Sequence, residues 1–340
     1  MTNARKFVLW SAVFLSALIA VCGPAQAETC RLLKMAKFDI SGEPFGAVTV
    51  PVSLNGTVER FLVDTGGTYS TISPALVKKL GLSPRLMDKN FEFYLADGTM
   101  LDHYVNIKAF DVGAISESNV HLIVEPHVQR GGAGAFGGTL APDFLSKFDL
   151  DFDFGHNTLN LFSPDHCDGR VVYWASHYAA IRVGVNGRDN HINVPVTLDG
   201  RDYAALLDTG AALTLLSERA AYRDFDLKAG GPGLEPITDA PKDALVRYRH
   251  RFKTLTIDSI TVNNPIIGIL RDAAEQSFWR HHSAIYARDP VFGLSFRTHR
   301  IILGMDVLRK LHLYIAYKEK KLYVTAASAQ TADAAPPTHP

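Results

Sequence analysis

Hydrophobic and polar residues alternate along much of this chain, and the alternation predicts mostly β-strands. In residues 50–54, apolar side chains occupy every second position, and Asn55-Gly56 follows directly. An Asn-Gly pair flanked by alternating apolar residues is a strong signal for a tight β-hairpin. The return segment ends in Phe61-Leu62-Val63, an apolar run that predicts a strand buried on both faces.

The chain then repeats this pattern. Residues 194–200 closely match residues 50–56, with Asp199-Gly200 at the predicted turn. The offset holds without a gap as far as the acids that follow each return strand, Asp64 and Asp208 (208 − 64 = 144). A fixed offset indicates that each copy forms the same structural unit. We therefore predict two similar halves related by a pseudo-twofold axis.

A helix is predicted after each acid. Ser73-Pro74 opens a helical pattern that ends at Gly81, and Ser217-Glu218 opens a short helix at the same place in the second half. Serine before a helix, proline in its first turn and glycine after its end are typical boundary residues. The two copies therefore agree beyond the acids.

A second hairpin is predicted in each half. Residues 91–104 fit two strands around the tip Ala96-Asp97-Gly98. Residues 107–111 resemble residues 252–256 (252 − 107 = 145), which places the equivalent tip near residues 239–243. Pro241-Lys242 replace the glycine there. Both halves thus carry a hairpin long enough to form a flap.

The halves also end alike, which sets the predicted domain boundaries. Residues 140–145 parallel residues 303–308, and each segment precedes a pair of alternating strands. The offset has grown there (306 − 143 = 163), so the second half contains a surface insertion near residues 271–300. We predict a first half at residues 28–170, a second half at residues 171–326, and a disordered Ala/Pro/Thr-rich tail at residues 327–340.

The first 27 residues have the order of a secretory signal peptide. Arg5 and Lys6 precede an apolar run at residues 7–21, and the small residues Ala25-Gln26-Ala27 follow. The run is short for a transmembrane helix, which needs about 20 apolar residues. Retention as an anchor is the alternative. We expect cleavage after Ala27 and an exported protein, periplasmic or extracellular.

Cleavage would leave two cysteines, Cys30 and Cys167. An export signal and an even cysteine count favour one disulfide between them, because exported compartments are oxidising. Two unpaired buried thiols are the alternative. Mass mapping without reduction distinguishes the two cases.

Composition limits the partners rather than the function. Lysine plus arginine equal aspartate plus glutamate at 35 each, and 47% of the residues are hydrophobic. Such a chain has a sizeable core and no bulk charge that attracts nucleic acid or an anionic membrane. We expect no nucleic-acid partner, and no membrane partner once the signal is removed.

The candidate chemistry lies in the two repeated acids. Asp64-Thr65-Gly66 and Asp208-Thr209-Gly210 each follow a buried strand. Two carboxyl groups a few ångströms apart share one proton, so that together they activate a water and polarise a carbonyl without metal or cofactor. We expect the glycines to allow a tight turn that brings an amide to each carboxylate. We also expect the threonine hydroxyls to bond across the twofold axis.

These triads, the helix at residues 73–81 and the segment at residues 302–308 resemble the retropepsin-like aspartic proteases, especially bacterial exported members. The resemblance covers nearly all of residues 48–324, once in each half. It implies an all-β, bilobed fold of two tandem retropepsin-like β-barrel halves, with flaps closing over an extended peptide. It also implies one active site between the lobes, a protein or peptide substrate, and an intramolecular pseudo-dimer, which favours a monomer.

The chain departs from the family pattern near the triads. Ala141 stands where the second half has Gly304, which predicts a weaker supporting strand in the first half. Gly67 and Ala211 follow the triads, where pepsins tend to have hydroxyl residues. Fewer hydrogen bonds to an ionised pair raise its pKa values. We therefore expect activity at mildly acidic to neutral pH.

Two other functions fit the same fold. One is a catalytically silent peptide-binding or envelope-interaction protein, and the other is a protease whose cleavage is limited to its own maturation. Further motifs have blander interpretations. We expect a flexible loop at the glycine-rich residues 132–137, a surface pair at His281-His282, a strand with one solvated face at Asp149, Asp151 and Asp153, and helix capping or structural hydrogen bonds at Asp143 and Asp306.

Overall fold

The computed structural model describes residues 31–40, 47–88, 93–95, 99–126, 136–185, 187, 189–238, 244–271 and 301–327. Several predictions lie outside these residues and stay predictions: the signal peptide, Cys30, both flap tips (Ala96, Asp97, Gly98, Pro241 and Lys242), most of the glycine-rich segment, the insertion with His281-His282, and the tail.

Strands dominate the described residues, so the predicted all-β class is confirmed. The first half contains β1 (Lys34–Asp39), β2 (Thr49–Leu54), β3 (Thr57–Val63), β4 (Thr71–Ile72), α1 (Pro74–Lys79), β5 (Arg85–Leu86), β6 (Phe93–Tyr94), β7 (Met100–Leu101), β8 (His103–Val112), β9 (Ile115–Val124), β10 (Gly138–Leu140), α2 (Pro142–Leu145), β11 (Asp149–Asp153) and β12 (Thr158–Phe162).

The second half repeats most of this order. It contains β13 (Ala179–Arg182), β14 (Gly184–Val185), β15 (Ile192–Leu198), β16 (Arg201–Leu207), β17 (Leu215–Ser217), α3 (Glu218–Phe225), β18 (Glu235–Pro236), β19 (Val246–Arg251), β20 (Thr254–Ile257), β21 (Ile260–Asn263), β22 (Ile266–Leu270), β23 (Ile301–Leu303), α4 (Met305–Leu308), β24 (Leu311–Ala316) and β25 (Lys321–Ala326).

The first half closes into a β-barrel. The hairpin of β2 and β3 turns at Asn55 and Gly56, whose φ angles of 50° and 87° lie in the left-handed region that such turns require. The sheet runs β2-β3-β10-β4-β9-β8-β5, and β8 also pairs with β2, with Phe110 opposite Leu54. This second pairing closes the ring.

The second half has the same strand order, β19-β22-β17-β23-β16-β15-β20. Its hairpin turns at Asp199 and Gly200, with φ angles of 44° and 80°. Where the first half has the single strand β8, the second has β19 and β20, which follow one another across residues 252–253. Leu255 lies opposite Leu198, so the offsets of 144 and 145 read from the sequence are confirmed in the strand register.

Both predicted helices begin at their serines. The amide of Leu76 donates to Ser73 Oγ at 3.2 Å, and the amide of Ala220 donates to Ser217 Oγ at 3.2 Å. Such caps satisfy amides that have no partner within the helix. These two helices lie directly after the short strands β4 and β17, on the far side of each triad loop.

The arms of both predicted hairpins are present. β6 pairs with β7, with Tyr94 opposite Met100, and β18 pairs with β19, with Glu235 opposite Arg249. The tips that these arms carry are outside the described ranges. The hairpins are therefore confirmed, and the placement of their tips over a substrate stays a prediction.

One six-stranded sheet joins the two halves. Its order is β1-β12-β11-β24-β25-β13, with three strands from each half, and β11 pairs antiparallel with β24 at its centre. A single hydrophobic core extends from β2 and β3 through this sheet to β15 and β16. No helix within the described ranges is long and apolar enough to cross a membrane.

The prediction of a solvated face on β11 is wrong, because Asp149 and Asp151 are fully buried. Their face is covered by residues 171–174 and by the aromatic side chains of β24 and β25. Asp149 accepts hydrogen bonds from Tyr314 Oη and the Tyr317 amide and contacts a histidine, His166. Burial raises the pKa of Asp149, and its bond with His166 opposes that shift.

Asp151 anchors a second buried polar cluster in the same sheet. It accepts from Asn160 Nδ2 at 2.8 Å and from Tyr173 Oη at 2.5 Å, and it contacts His312 Nε2 at 2.7 Å. His312 stacks on Trp174, with ring centroids 4.0 Å apart. Because these partners come from both halves, the cluster links the halves through one carboxylate.

We expect Asp151→Ala to destabilise the fold by about 3 kcal/mol or more, because it leaves several buried donors without an acceptor. Chemical denaturation of the purified variant measures this change from the midpoint at unchanged slope. The control is Asp165→Ala, whose side chain is 95% exposed and whose nearest basic nitrogen is 3.8 Å away. Equal midpoints for both variants would contradict the expected role of Asp151.

Cys167 is disulfide-bonded. The partner expected from the sequence, Cys30, lies outside the part of the chain that the structure describes. The Cys30–Cys167 pairing therefore stays a prediction.

Candidate active site

The two acids follow equivalent strands. Asp64 comes directly after β3, which runs parallel to β10, and its amide donates to the Leu140 carbonyl at 2.9 Å. Asp208 comes directly after β16, which runs parallel to β23, and its amide donates to the Leu303 carbonyl at 3.0 Å. The closing strands that the sequence repeats therefore fix the backbone of each acid.

The two triad loops hold each other through their threonines, both of which are buried. Thr65 Oγ1 donates to the Leu207 carbonyl at 2.8 Å, and Thr209 Oγ1 donates to the Val63 carbonyl at 2.6 Å. Each hydroxyl also accepts the amide of the other threonine, at 3.1 and 3.2 Å. This is the contact across the twofold axis that the sequence predicted, with every donor satisfied.

Each carboxylate is held by two backbone amides of its own loop. The amides of Gly66 and Gly67 donate to Asp64 Oδ1 at 3.0 and 2.8 Å. The amides of Gly210 and Ala211 donate to Asp208 Oδ1 at 2.8 and 3.1 Å. The remaining carboxyl oxygens allow the two acids to hydrogen-bond each other.

The glycines of the triads are needed for a different reason from the one expected. Neither Gly66 nor Gly210 has a positive φ, so the expected tight turn does not require them. Instead, a Cβ on Gly66 would lie 2.6 Å from Asp208 Oδ1, and a Cβ on Gly210 would lie 2.6 Å from Asp64 Cγ. Each glycine makes room for the carboxyl group of the other half.

The environment raises the pKa values of both carboxyl groups. Burial raises the pKa of Asp208 well above its usual value, and the neighbouring charge and hydrogen bond of Asp64 raise it further. Burial also raises the pKa of Asp64, but the Gly67 and Gly66 amides and the hydrogen bond from Asp208 oppose the rise. The pair therefore shares one proton over a range of pH. Both residues remain partly exposed, so a water molecule can reach them.

Asp143 and Asp306 support the loops and do not form a second pair. Asp143 accepts the amide and hydroxyl of Ser70 at 3.0 and 2.6 Å, and Asp306 accepts the amide and hydroxyl of Thr214 at 2.7 Å each. Burial raises the pKa of Asp143. The predicted structural hydrogen bonds are confirmed.

The first half has Ala141 where the second half has Gly304, and it keeps the hydrogen bond that supports the triad loop. The Ala141 amide donates to Ser70 Oγ at 3.0 Å, as the Gly304 amide donates to Thr214 Oγ1 at 3.1 Å. Ala141 fits because Gly67, which lies opposite it, has no side chain. A Cβ on Gly67 would lie 3.3 Å from the Cβ of Ala141. The expectation of a weaker first-half support is wrong for this bond.

Two residues near the site went unnoticed in the sequence. His191 Nε2 donates to the Gly67 carbonyl at 2.8 Å, and Asp189 accepts the His191 amide at 3.1 Å and lies 3.2 Å from its Nδ1. The repeat offset places His191 opposite Ala47 in the first half. The available signal was that the second copy has a polar residue where the first copy has an apolar one.

Comparison with known families supports the repeat. A family model described as aspartyl protease matches residues 50–140 and again residues 194–307, more than half of the chain. The chain belongs to the aspartyl protease family. Its two matches each contain one Asp-Thr-Gly triad and agree with two fused retropepsin-like halves. Among curated proteins, none matches this aspartyl protease chain. Within the described ranges, no three His, Cys, Asp or Glu side chains are grouped as a metal site.

Proposed function

We propose that this chain is an exported, single-chain aspartic endopeptidase in which Asp64 and Asp208 hydrolyse peptide bonds together. One observation carries the proposal: two carboxyl groups from equivalent loops lie close together, each beside the glycine of the other loop, and burial raises the pKa values of both. The family membership supports a peptidase that acts on protein or peptide substrates. Two acids that only stabilised the fold would not need to be partly exposed or to share a proton.

The chemistry requires one proton on the pair. Ionised Asp64 would take a proton from a bound water, whose oxygen attacks the scissile carbonyl carbon. Asp208 would give its proton to the carbonyl oxygen, which yields a neutral tetrahedral diol. When the C–N bond breaks, the leaving nitrogen takes the proton that Asp64 received from the water. One diol hydroxyl gives its proton to Asp208 as the new carboxyl group forms, so the pair returns to one proton. This division of roles is the established behaviour of aspartic protease pairs.

The rest of the fold supplies a place for an extended peptide. The hairpins of β6 with β7 and of β18 with β19 lead to the two predicted flap tips. An extended substrate would add to them as a strand, through main-chain hydrogen bonds. The chain already contains both triads, so we propose that it acts as a monomer.

Cleavage of an unbiased peptide library by the mature chain tests the proposal. We expect cleavage within extended segments and inhibition by pepstatin, which mimics the tetrahedral diol. Peptide binding without cleavage would favour the silent binding protein, and cleavage limited to the chain's own N-terminal region would favour self-maturation. Either result overturns a general endopeptidase.

We expect a bell-shaped dependence of kcat/KM on pH, with its maximum at mildly acidic to neutral pH. The acid limb reports loss of the first proton from the pair, and the alkaline limb reports loss of the second. Because burial raises the pKa values of both acids, both limbs lie higher than two ordinary aspartates would place them. A rate series in constant-ionic-strength buffers measures the profile. A maximum below about pH 3 would contradict the expectation, since that is under the usual pKa of aspartate.

A further inference from the structure

The two triad loops are anchored by different donors. In the second half, the Ala211 carbonyl, which follows the triad, accepts the amide of Met305 at 2.8 Å. Met305 is the first residue of α4. This bond ties the loop that carries Asp208 to the helix beneath it.

The first half cannot make the same bond. Its equivalent of Met305 is Pro142, the first residue of α2, and proline has no backbone N–H. Gly67 is the repeat equivalent of Ala211, and its carbonyl accepts His191 Nε2 at 2.8 Å instead. His191 lies 124 positions away, just before β15 of the second half. His191 of the second half thus supplies the donor that Pro142 of the first half lacks.

Both nitrogens of the His191 ring have partners. Nε2 donates to the Gly67 carbonyl, which can only accept. Nδ1 lies 3.2 Å from Asp189 Oδ2, and both side chains are buried. Asp189 also accepts the His191 amide at 3.1 Å, so it orients the residue that reaches Gly67.

The position of this pair links it to the first acid. Gly67 connects His191 to Asp64. Its carbonyl accepts His191 Nε2, and its amide donates to Asp64 Oδ1 at 2.8 Å. The charge of His191 also favours the ionised form of Asp64 and lowers its pKa, against the larger effect of burial. The other titratable groups nearby are Asp208, hydrogen-bonded to Asp64, and Tyr69, which lies in the field of Asp143 and Asp189.

We propose that His191, oriented by Asp189, is a positioning residue of the first triad loop: it supplies to the Gly67 carbonyl the hydrogen bond that Pro142 cannot. This inference rests on the proposed endopeptidase function. In the second half, the same bond comes from the main chain of Met305. The inserted side chain therefore breaks the symmetry of the two triad loops.

The test compares His191→Ala with His191→Gln in the mature chain. Alanine removes this donor, so we expect kcat to fall about 10- to 100-fold with KM little changed, and the acid limb of the pH profile to move to higher pH. Glutamine keeps a side-chain N–H without the charge. We expect it to restore most of kcat and to leave the acid limb shifted.

Two further variants make the result specific. Asp189→Asn removes the carboxylate that faces His191 Nδ1, and we expect faster exchange of the Gly67 amide, as in His191→Ala. It also serves if His191→Ala does not fold. His156→Gln is the matched control, because His156 pairs with Asp153 at 2.7 Å on the surface, and its profile should equal that of the wild type.

Hydrogen exchange of the Gly66 and Gly67 amides, followed by mass spectrometry, gives a readout that does not need turnover. We expect faster exchange in His191→Ala and near wild-type exchange in His191→Gln. An active wild type whose His191 variants keep the acid limb and the exchange rates would overturn the positioning role. An inactive wild type would refute the endopeptidase, and the exchange rates would still decide whether His191 holds the loop.

Discussion

Asp208→Asn should lower kcat by about 10³-fold or more while the fold is kept. The asparagine Oδ1 can accept the amides of Gly210 and Ala211, which lie 2.8 and 3.1 Å from Asp208 Oδ1. Its amide group can donate to Asp64, as a protonated Asp208 would. The variant thus imitates the resting form of the pair, but it has no acidic proton for the substrate carbonyl.

The same substitution should change the pH dependence of stability in a known direction. Burial raises the pKa of Asp208, so the folded chain keeps a proton at pH values where the unfolded chain releases it. Wild-type stability therefore falls as pH rises above the usual aspartate pKa, until the folded value is passed. Asparagine does not titrate in this range. We expect the variant to be at least as stable as the wild type at pH 7.

Peptide cleavage, thermal unfolding and circular dichroism at several pH values measure these effects. Asp165→Asn is the matched control, since it makes the same chemical change at a side chain that is 95% exposed. Its turnover and melting temperature should equal those of the wild type. Normal cleavage by Asp208→Asn would refute the carboxylate pair. Loss of structure would show that asparagine does not accept the amides of Gly210 and Ala211 as aspartate does.

The sequence predicted those parts of the fold that local patterns determine. The hairpin turns at Asn55-Gly56 and Asp199-Gly200 need left-handed backbone, and these residue types adopt it readily. The helix caps at Ser73 and Ser217 likewise depend on residues three positions away. Two copies of the same local pattern then sufficed to predict that the acids meet.

Other features could not be predicted, because they depend on contacts between distant segments. Alternation on β11 shows which residues share a face, but not that residues 171–174 and two strands of the second half cover Asp149 and Asp151. A polar residue on a covered face must find partners, and these come from far along the chain. The strand was therefore predicted correctly, whereas the burial of Asp149 and Asp151 was not.

The His191 contact was missed for a related reason. Its acceptor, Gly67, lies 124 positions away, and the need for a donor arises only because Pro142 lies beneath the loop. A repeat comparison finds what the halves share, whereas this contact exists because they differ. Differences between copies near a site are therefore the positions to inspect in such duplicated chains.

Gly66→Ala should lower turnover by about 100-fold or more, because the added Cβ would lie 2.6 Å from Asp208 Oδ1. Real Cβ atoms do not approach an oxygen so closely, so the two carboxyl groups must separate. Separation breaks their hydrogen bond and weakens the coupling that lets them share one proton. The strain should also destabilise the fold, by about 1–3 kcal/mol.

Gly187→Ala is the control for this substitution. Gly187 also lacks a positive φ, and a Cβ there meets nothing within 4 Å, so its turnover and stability should be unchanged. Gly210→Ala should behave like Gly66→Ala, since its Cβ would lie 2.6 Å from Asp64 Cγ. Equal effects at the two glycines would follow from the pseudo-twofold axis.

The pH profile separates loss of the pair from general damage. Part of the rise in the pKa of Asp208 comes from the charge and hydrogen bond of Asp64, after the larger part from burial. Pushing the acids apart removes that part, so the alkaline limb of Gly66→Ala should move to lower pH in the residual activity. A variant that only unfolds would lose amplitude without this shift. Wild-type turnover in Gly66→Ala would show that the carboxyl groups do not need their close approach, and would contradict a shared proton as the basis of catalysis.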